Sequence, residues 1–273
     1  MALVGCGPTN DSESPVPGNG PQNAPGNAPA KGDPSAGGLD NIVDASRKAG
    51  TAKLASSIEA EFGGSKVTVS AGEGAVDFAN KRSKMSTKMT NPGTGEQGGG
   101  MNVIIDGGAG YLQYLMGGQP GPWMRFDLTA MVGQRGVSDM GTYLTLMAGI
   151  TQSSKVGEES VHGADTTHYK VTVDPKKILE KYPEMKDSVQ SMLKLAESVA
   201  PGSTKGVEED SNKPTQYELW VDKGGLIYRI VQEFSTKGDN GQDVTGRSMT
   251  EFYDYGKPVE ITAPAANEVK SGG

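Results

Sequence analysis

The stretch QYELWVDKGGLIYRIVQEFS, residues 216–235, holds two runs rich in aliphatic, β-branched and aromatic residues around Asp-Lys-Gly-Gly. Such runs read as strands, and a short glycine-bearing connection makes them a hairpin. Neighbouring strands so joined are antiparallel, because a parallel pair would need a crossover of a dozen or more residues. The same grammar recurs on either side. MNVIID turns through Gly107-Gly108 into GYLQYLM, and PWMRFDL follows. THYKVTVD precedes the opening stretch, and GDNGQD (238–243) separates it from RSMTEFYDYG. In KLASSIEAEF, Leu54, Ile58, Ala60 and Phe62 share one strand face while Ser57, Glu59 and Glu61 share the other. Val67, Val69 and Ala71 continue as a strand. The apolar phase then changes across Gly72 and Gly74 to Val76 and Phe78, which predicts a bulge or bend.

Helical signals interrupt this pattern. Leu39, Ile42, Val43 and Ser46 have helical spacing and stop at Gly50. SDMGTYLTLMAGI (138–150) begins at Ser138 or Asp139 and groups Tyr143, Leu144 and Met147. In residues 174–202, Asp174 caps, Pro175 occupies the first helical position, and Pro183 kinks or restarts the helix. Met185, Val189, Met192, Leu193, Ala196 and Val199 then form one apolar stripe. The expected fold class is α+β: a curved antiparallel sheet of about ten strands, a half-barrel, with helices covering one face.

The N-terminal end has a different composition. Residues 7–38 contain seven prolines, seven glycines and Val16 as their one large aliphatic side chain. Such a segment buries too little surface to offset its conformational entropy, so a disordered, extended tether is expected. It follows Cys6, the single cysteine of the chain, which stands behind Leu3-Val4-Gly5. Leucine, a small aliphatic and a small residue before cysteine is the pattern of a bacterial lipobox, in which the thiol takes a diacylglycerol. A secretory signal needs roughly 7–15 apolar residues before its cleavage site. Five residues precede Cys6, so this reading expects the true start to lie upstream. The expected organisation is residues 1–6 as the end of a signal, 7–38 as tether and 39–270 as the folded domain.

Chemistry-bearing motifs are sparse. The two histidines, His162 and His168, match no metal-binding spacing. Ser191-Met192-Leu193-Lys194 has a Ser-x-x-Lys spacing but lies inside the apolar stripe and has no Lys-Thr-Gly partner. GDNGQD lacks the ligand register of a calcium loop. No nucleophile–base pair, metal set or cofactor motif is expected, and the chain reads as non-enzymatic. With 26 basic against 33 acidic side chains and no basic stripe, nucleic acid is not an expected partner. Twelve methionines against five phenylalanines are unusual. Met85, Met89, Met101, Met116, Met124, Met140, Met147, Met185, Met192 and Met249 fall on predicted elements. They suit either a surface that adapts to flexible apolar ligands or gap filling in a core.

The order of these elements resembles the actinobacterial LppX/LprAFG lipoprotein family across nearly all of residues 39–270. The residues that carry it are VIIDGGAGYLQYL (103–115) with Trp123, HGADTTHYKVTVDP (162–175), YELWVDKGGLIYRIV (217–231) and YGKPVEITAPAANEV (255–269). The resemblance implies a curved half-barrel like that of periplasmic lipoprotein carriers. It also implies an apolar cavity that holds acylated lipids or glycolipids and moves them across the cell envelope. The expected partners are therefore a lipid or glycolipid and, through Cys6, the outer face of the cell membrane. Alternation nominates Leu54, Ile58 and Phe62, Met101, Val103 and Ile105, and Met185, Val189 and Met192 as cavity residues. A sensor or protein-interaction module of the same fold is the alternative.

Overall fold

The computed structural model describes residues 39, 41–62, 64–91, 94–127, 147–183, 186, 213–237 and 243–270. Two compact units are distinguished, Met1–Lys31 and Gly32–Gly273, and every described residue lies in the second. Cys6, Met140, Met185, Val189, Met192 and the tether lie outside the described residues, as does most of the helix expected over 138–150.

Helix α1 (Ile42–Lys48) leads into β1 (Thr51–Phe62), β2 (Ser65–Asp77), β3 (Arg82–Thr90), β4 (Gln97–Asp106) and β5 (Ala109–Met116). The short β6 (Gln119–Pro120) and β7 (Trp123–Asp127) follow. After a 3₁₀ turn at Met147–Gly149 come β8 (Ile150–Val161), β9 (Ala164–Val173) and helix α2 (Pro175–Lys181). β10 (Thr215–Asp222), β11 (Ile227–Lys237), β12 (Asp243–Tyr253), a 3₁₀ turn at Ala266–Glu268 and β13 (Val269–Lys270) complete the order.

All thirteen strands belong to one sheet, ordered β13-β7-β5-β4-β3-β2-β1-β12-β11-β10-β9-β8, with β6 paired to β5. Pairing is antiparallel except between β13 and β7. The sheet is open, since β8 and β13 are its ends. So many twisted strands cannot stay flat and curl. Bulges at Ile58/Glu59, Met89/Thr90, Lys155/Gly157 and Trp220/Val221 add local twist.

Two corrections to the sequence reading follow. The sheet has thirteen strands, not about ten, and the described helices are few and short, so the fold is mostly β. The bulge in β2 falls at Val69, where Ser70 faces Ile58 and Thr68 faces Glu59; Gly72 and Gly74 stay in the ladder. Helix-end chemistry is as expected. Asp174 accepts a hydrogen bond from the Lys176 amide at 2.9 Å, ahead of Pro175. In the Asp222–Gly225 turn, the Asp222 carboxylate accepts from the amides of Gly224 and Leu226, both at 2.8 Å. Gly225, at φ +85°, supplies the left-handed residue that turn needs.

The core lies against one face, at the end where α1 and α2 pack. Ile42 of α1 and Ile178 of α2 join Leu54, Val76, Val171, Leu219, Val221, Ile230 and Phe252, all nearly inaccessible. Each helix has seven residues, so together they cover this end and leave the opposite end of the sheet uncovered by described helices.

Candidate functional site: the apolar face of the sheet

Strand register lays the core-bearing face out in rows that run across the strands. The lowest full row is Leu112, Val103, Met85, Gly74, Leu54 and Phe252, from β5 to β12. The next passes through Tyr114, Met101, Thr87, Gly72, Ser56 and Thr250. The highest is Met116, Gly99, Met89, Ser70, Ile58 and Ser248. Burial changes along this climb. Leu54 and Phe252 are fully buried, whereas Ile58 is 37% exposed, Met89 46% and Met116 79%.

Among the described residues, five of the six large apolar side chains that stand exposed are on this one face: Ile58, Met89, Tyr114, Met116 and Met124, the last opposite Leu112. The sixth, Val156, sits at the bulge of end strand β8. Single exposed hydrophobes need no explanation, but a contiguous apolar patch marks a binding surface.

The glycines of this face differ in a way that shapes it. Met85 lies over Gly72 and Gly74, the Phe126 ring lies on Gly110, and the Phe234 ring lies on Gly246. Gly99 has no such cover. A Cβ placed there would approach the Leu115 carbonyl oxygen at 2.9 Å and no described side chain within 4 Å. Met89 and Met116 flank it directly in register. The highest row therefore contains a notch with a backbone floor and thioether walls.

The nominated residues divide among these environments. Leu54 belongs to the close-packed core. Ile58 stands at the open row. Phe62 ends β1, in a position whose side chain is outside the description. Met101, Val103 and Ile105 are half-buried on β4, on the same face as Leu54 and Ile58. The β1 and β4 stripes lie on the same face of the sheet, separated by β2 and β3. Alternation missed Met89, Tyr114, Met116 and Met124 as site residues, although the methionine surplus pointed to three of them. Met147 is buried in the core, as gap filling expects, and Met116 is almost fully exposed.

The opposite face carries many charged and polar side chains, several of them in ion pairs. A cleft of about 500 Å³ at the end of β1, β11 and β12 is lined by charged and polar residues, Glu59, Glu61, Glu233 and Arg247 among them, together with Ala60 and Phe234. Further along, the tip of the β8–β9 hairpin folds over β10–β12. Val161 packs there with Trp220 and Val231, and Arg229 bonds both Glu251 (2.7 Å) and Glu159 (3.0 Å). Both histidines of the chain serve this layer. His168, inside β9 and not at its start, stacks on Trp220 with ring centroids 4.0 Å apart and pairs with Glu218 at 2.9 Å. His162, at φ +51° in the turn, stacks on Tyr253 and pairs with Glu251 at 2.9 Å. Burial pushes the Glu251 carboxyl up, but the bonds from Arg229 and His162 outweigh it and hold the group below its ordinary value. Asp254 is held at about 2 by Lys257 and Lys53. Among the described residues no His, Cys, Asp and Glu cluster is arranged to hold a metal ion. No described helix is long and apolar enough to cross a membrane.

No family model matches the chain. It is 28% identical over 170 residues to an uncharacterised 31.2 kDa Streptomyces griseus protein encoded between rplA and rplJ. That match covers 59% of this chain and spans about half (48%) of the relative's length. Among solved structures, it is similar to the lipoprotein LppX of Mycobacterium tuberculosis, at 14% identity and a TM-score of 0.46, covering 84% of this chain and 100% of that one. It is similar also to LprF of Mycobacterium bovis, at 13% identity and a TM-score of 0.44, covering 86% and 99%. The solved structures to which the chain is similar thus include LppX and LprF, of the actinobacterial lipoprotein family that the order of its sequence motifs resembles.

Proposed function

We propose that the chain is a cell-envelope lipoprotein that binds lipids or acylated glycolipids on the apolar face of its sheet, for holding or transport, without catalysing a reaction. The observation that carries this is the gathering of Ile58, Met89, Tyr114, Met116 and Met124, all exposed, on one face above a packed core. Each methylene removed from water there contributes about 0.8 kcal/mol, so one long acyl chain can be held without specific polar contacts. Unbranched methionines adapt to a chain with no fixed shape. Cys6 bears the anchor and residues 7–38 are the tether that lets the domain clear the membrane surface; the lipobox pattern and the proline- and glycine-rich composition support both roles.

The test is organic extraction of the purified protein followed by mass spectrometry, with wild type compared against Met89→Lys/Met116→Lys. Lipid recovered from the wild type and depleted from the folded variant is the expected result. A wild type that carries no lipid and takes none from vesicles refutes the proposal and leaves the interaction module.

A further inference from the structure

We propose that Met89, Met116 and Met124 form an oxidisable rim. Peroxide-class oxidants convert these thioethers to sulfoxides ahead of the other described methionines, and the sulfoxides close the face to hydrocarbon. The inference rests on the reading of that face as the lipid seat.

Susceptibility of a thioether to oxidation follows its exposure. Met116, Met89 and Met124 are 79%, 46% and 38% exposed, while Met147 is 3% exposed in the core. Met85 lies down on Gly72 and Gly74 and packs against the core. Met249 packs against the Trp220 cluster on the other face. Met101 shares the face of the rim methionines but is half-buried, so solvent access is what sets the rim apart from it. Gly99, in register between Met89 and Met116, has no described side chain within 4 Å of where a Cβ would stand, so no described group covers that point of the row.

In the reaction a sulfur lone pair attacks one peroxide oxygen. The O–O bond breaks and an S–O bond forms. The departing hydroxide collects the proton of the transferred oxygen and leaves as water. Sulfur loses two electrons and the peroxide gains them. The product is polar and chiral where a flexible apolar group stood. A chain settling between Met89 and Met116 would then have to strip water from two sulfoxide oxygens that find no donor in it. Burial of such unpaired polar groups is unfavourable.

The experiment treats the full chain with graded hydrogen peroxide, maps each methionine by peptide mass spectrometry and titrates a fluorescent long-chain fatty acid. A Met89→Leu/Met116→Leu/Met124→Leu variant is run in parallel. Expected are oxygen gain at the three rim positions before Met147, and loss of probe affinity by about tenfold or more (~1.4 kcal/mol). Methionine sulfoxide reductase should restore binding, and whatever affinity the leucine variant has for the probe should not change on peroxide treatment. Probe binding that survives full oxidation of the rim overturns this inference alone. So does oxidation of Met147 first, or a leucine variant as peroxide-sensitive as the wild type. An untreated protein that takes no probe overturns the lipid seat itself, and the inference with it.

Discussion

Leu54 and Ile58 stand on the same face of the same strand, two repeats of the pleat apart, and the structure assigns them opposite fates. Leu54 is fully buried among Val76, Met85 and Phe252, while Ile58 is 37% exposed beside Ser70 and Ser248. Replacing Leu54 with alanine leaves a cavity that close-packed neighbours fill only in part, which costs about 2–5 kcal/mol. In a folded unit of this size each kcal/mol shifts Tm by roughly 2–4 °C, so a ~3 kcal/mol loss lowers it by roughly 6–12 °C. Ile58→Ala opens no enclosed cavity, because solvent already reaches the site. Its cost is confined to the buried part of the side chain and to strand preference, about 1 kcal/mol, or roughly 2–4 °C. Binding should rank the other way. Ile58→Ala removes part of the surface that holds an acyl chain, whereas Leu54→Ala leaves that surface in place as long as the domain is folded. Both variants are measured by thermal denaturation and by fatty-acid titration at a temperature well below either midpoint. Equal destabilisation by the two would show that the upper row is as tightly packed as the lower, and the open-face reasoning would fail.

Three further outcomes are expected. Asp254→Asn, which tolerates the same φ of +53°, should be less stable than wild type near neutral pH. Because the folded-state pKa is depressed to about 2, this gap persists above the ordinary value of 3.8 and vanishes as pH falls toward 2, as denaturation at several pH values would show. Glu251→Gln should behave similarly, its deficit shrinking as pH drops below the ordinary 4.5, and it should raise amide exchange at the β8–β9 tip that Glu251 holds through His162. Asp174→Ala should cost about 1 kcal/mol by leaving the Lys176 amide without its cap, a loss that Asp174→Ser largely restores.

The hairpins and helix starts were legible because their signals are local. Asp222 with Gly225, and Asp174 with Pro175, declare their geometry within four residues. β8 was not, because an end strand with a single buried side chain, Val161, shows no alternation to read. β6 and β13 have two residues each and exist through pairing with β5 and β7, so no periodicity could announce them. The fold class erred on the helical side for a related reason: apolar spacing nominates helices, but how much of the sheet they cover is a matter of packing. The site was half legible. The methionine surplus marked soft side chains, yet Met85 and Met89, each between a lysine and a hydroxyl residue, differ in the fold: Met85 is half-buried and Met89 exposed. Only the register, which places Met85 opposite Gly74 and Met89 between Gly99 and Ser70, separates them.

The strand order also bears on how the chain reaches this state. β1 to β7 and β8 to β12 are each runs of strands paired chiefly with near neighbours in sequence, and such local contacts form early. Their junction is β1 against β12, which pairs residue 54 with residue 252. The core is completed by that pairing, since Leu54 and Phe252 meet within it. A chain still lacking β12 has a bare edge on β1 and half of the core without its complement. Closing the long loop between them carries the largest entropic cost of any pairing in the sheet. Folding should therefore be slow and finish at the C-terminal end, with the nascent chain loose until its last long strand arrives. The same order leaves the edge of β1 unpaired for longest, so it is the edge most open to mispairing until β12 arrives.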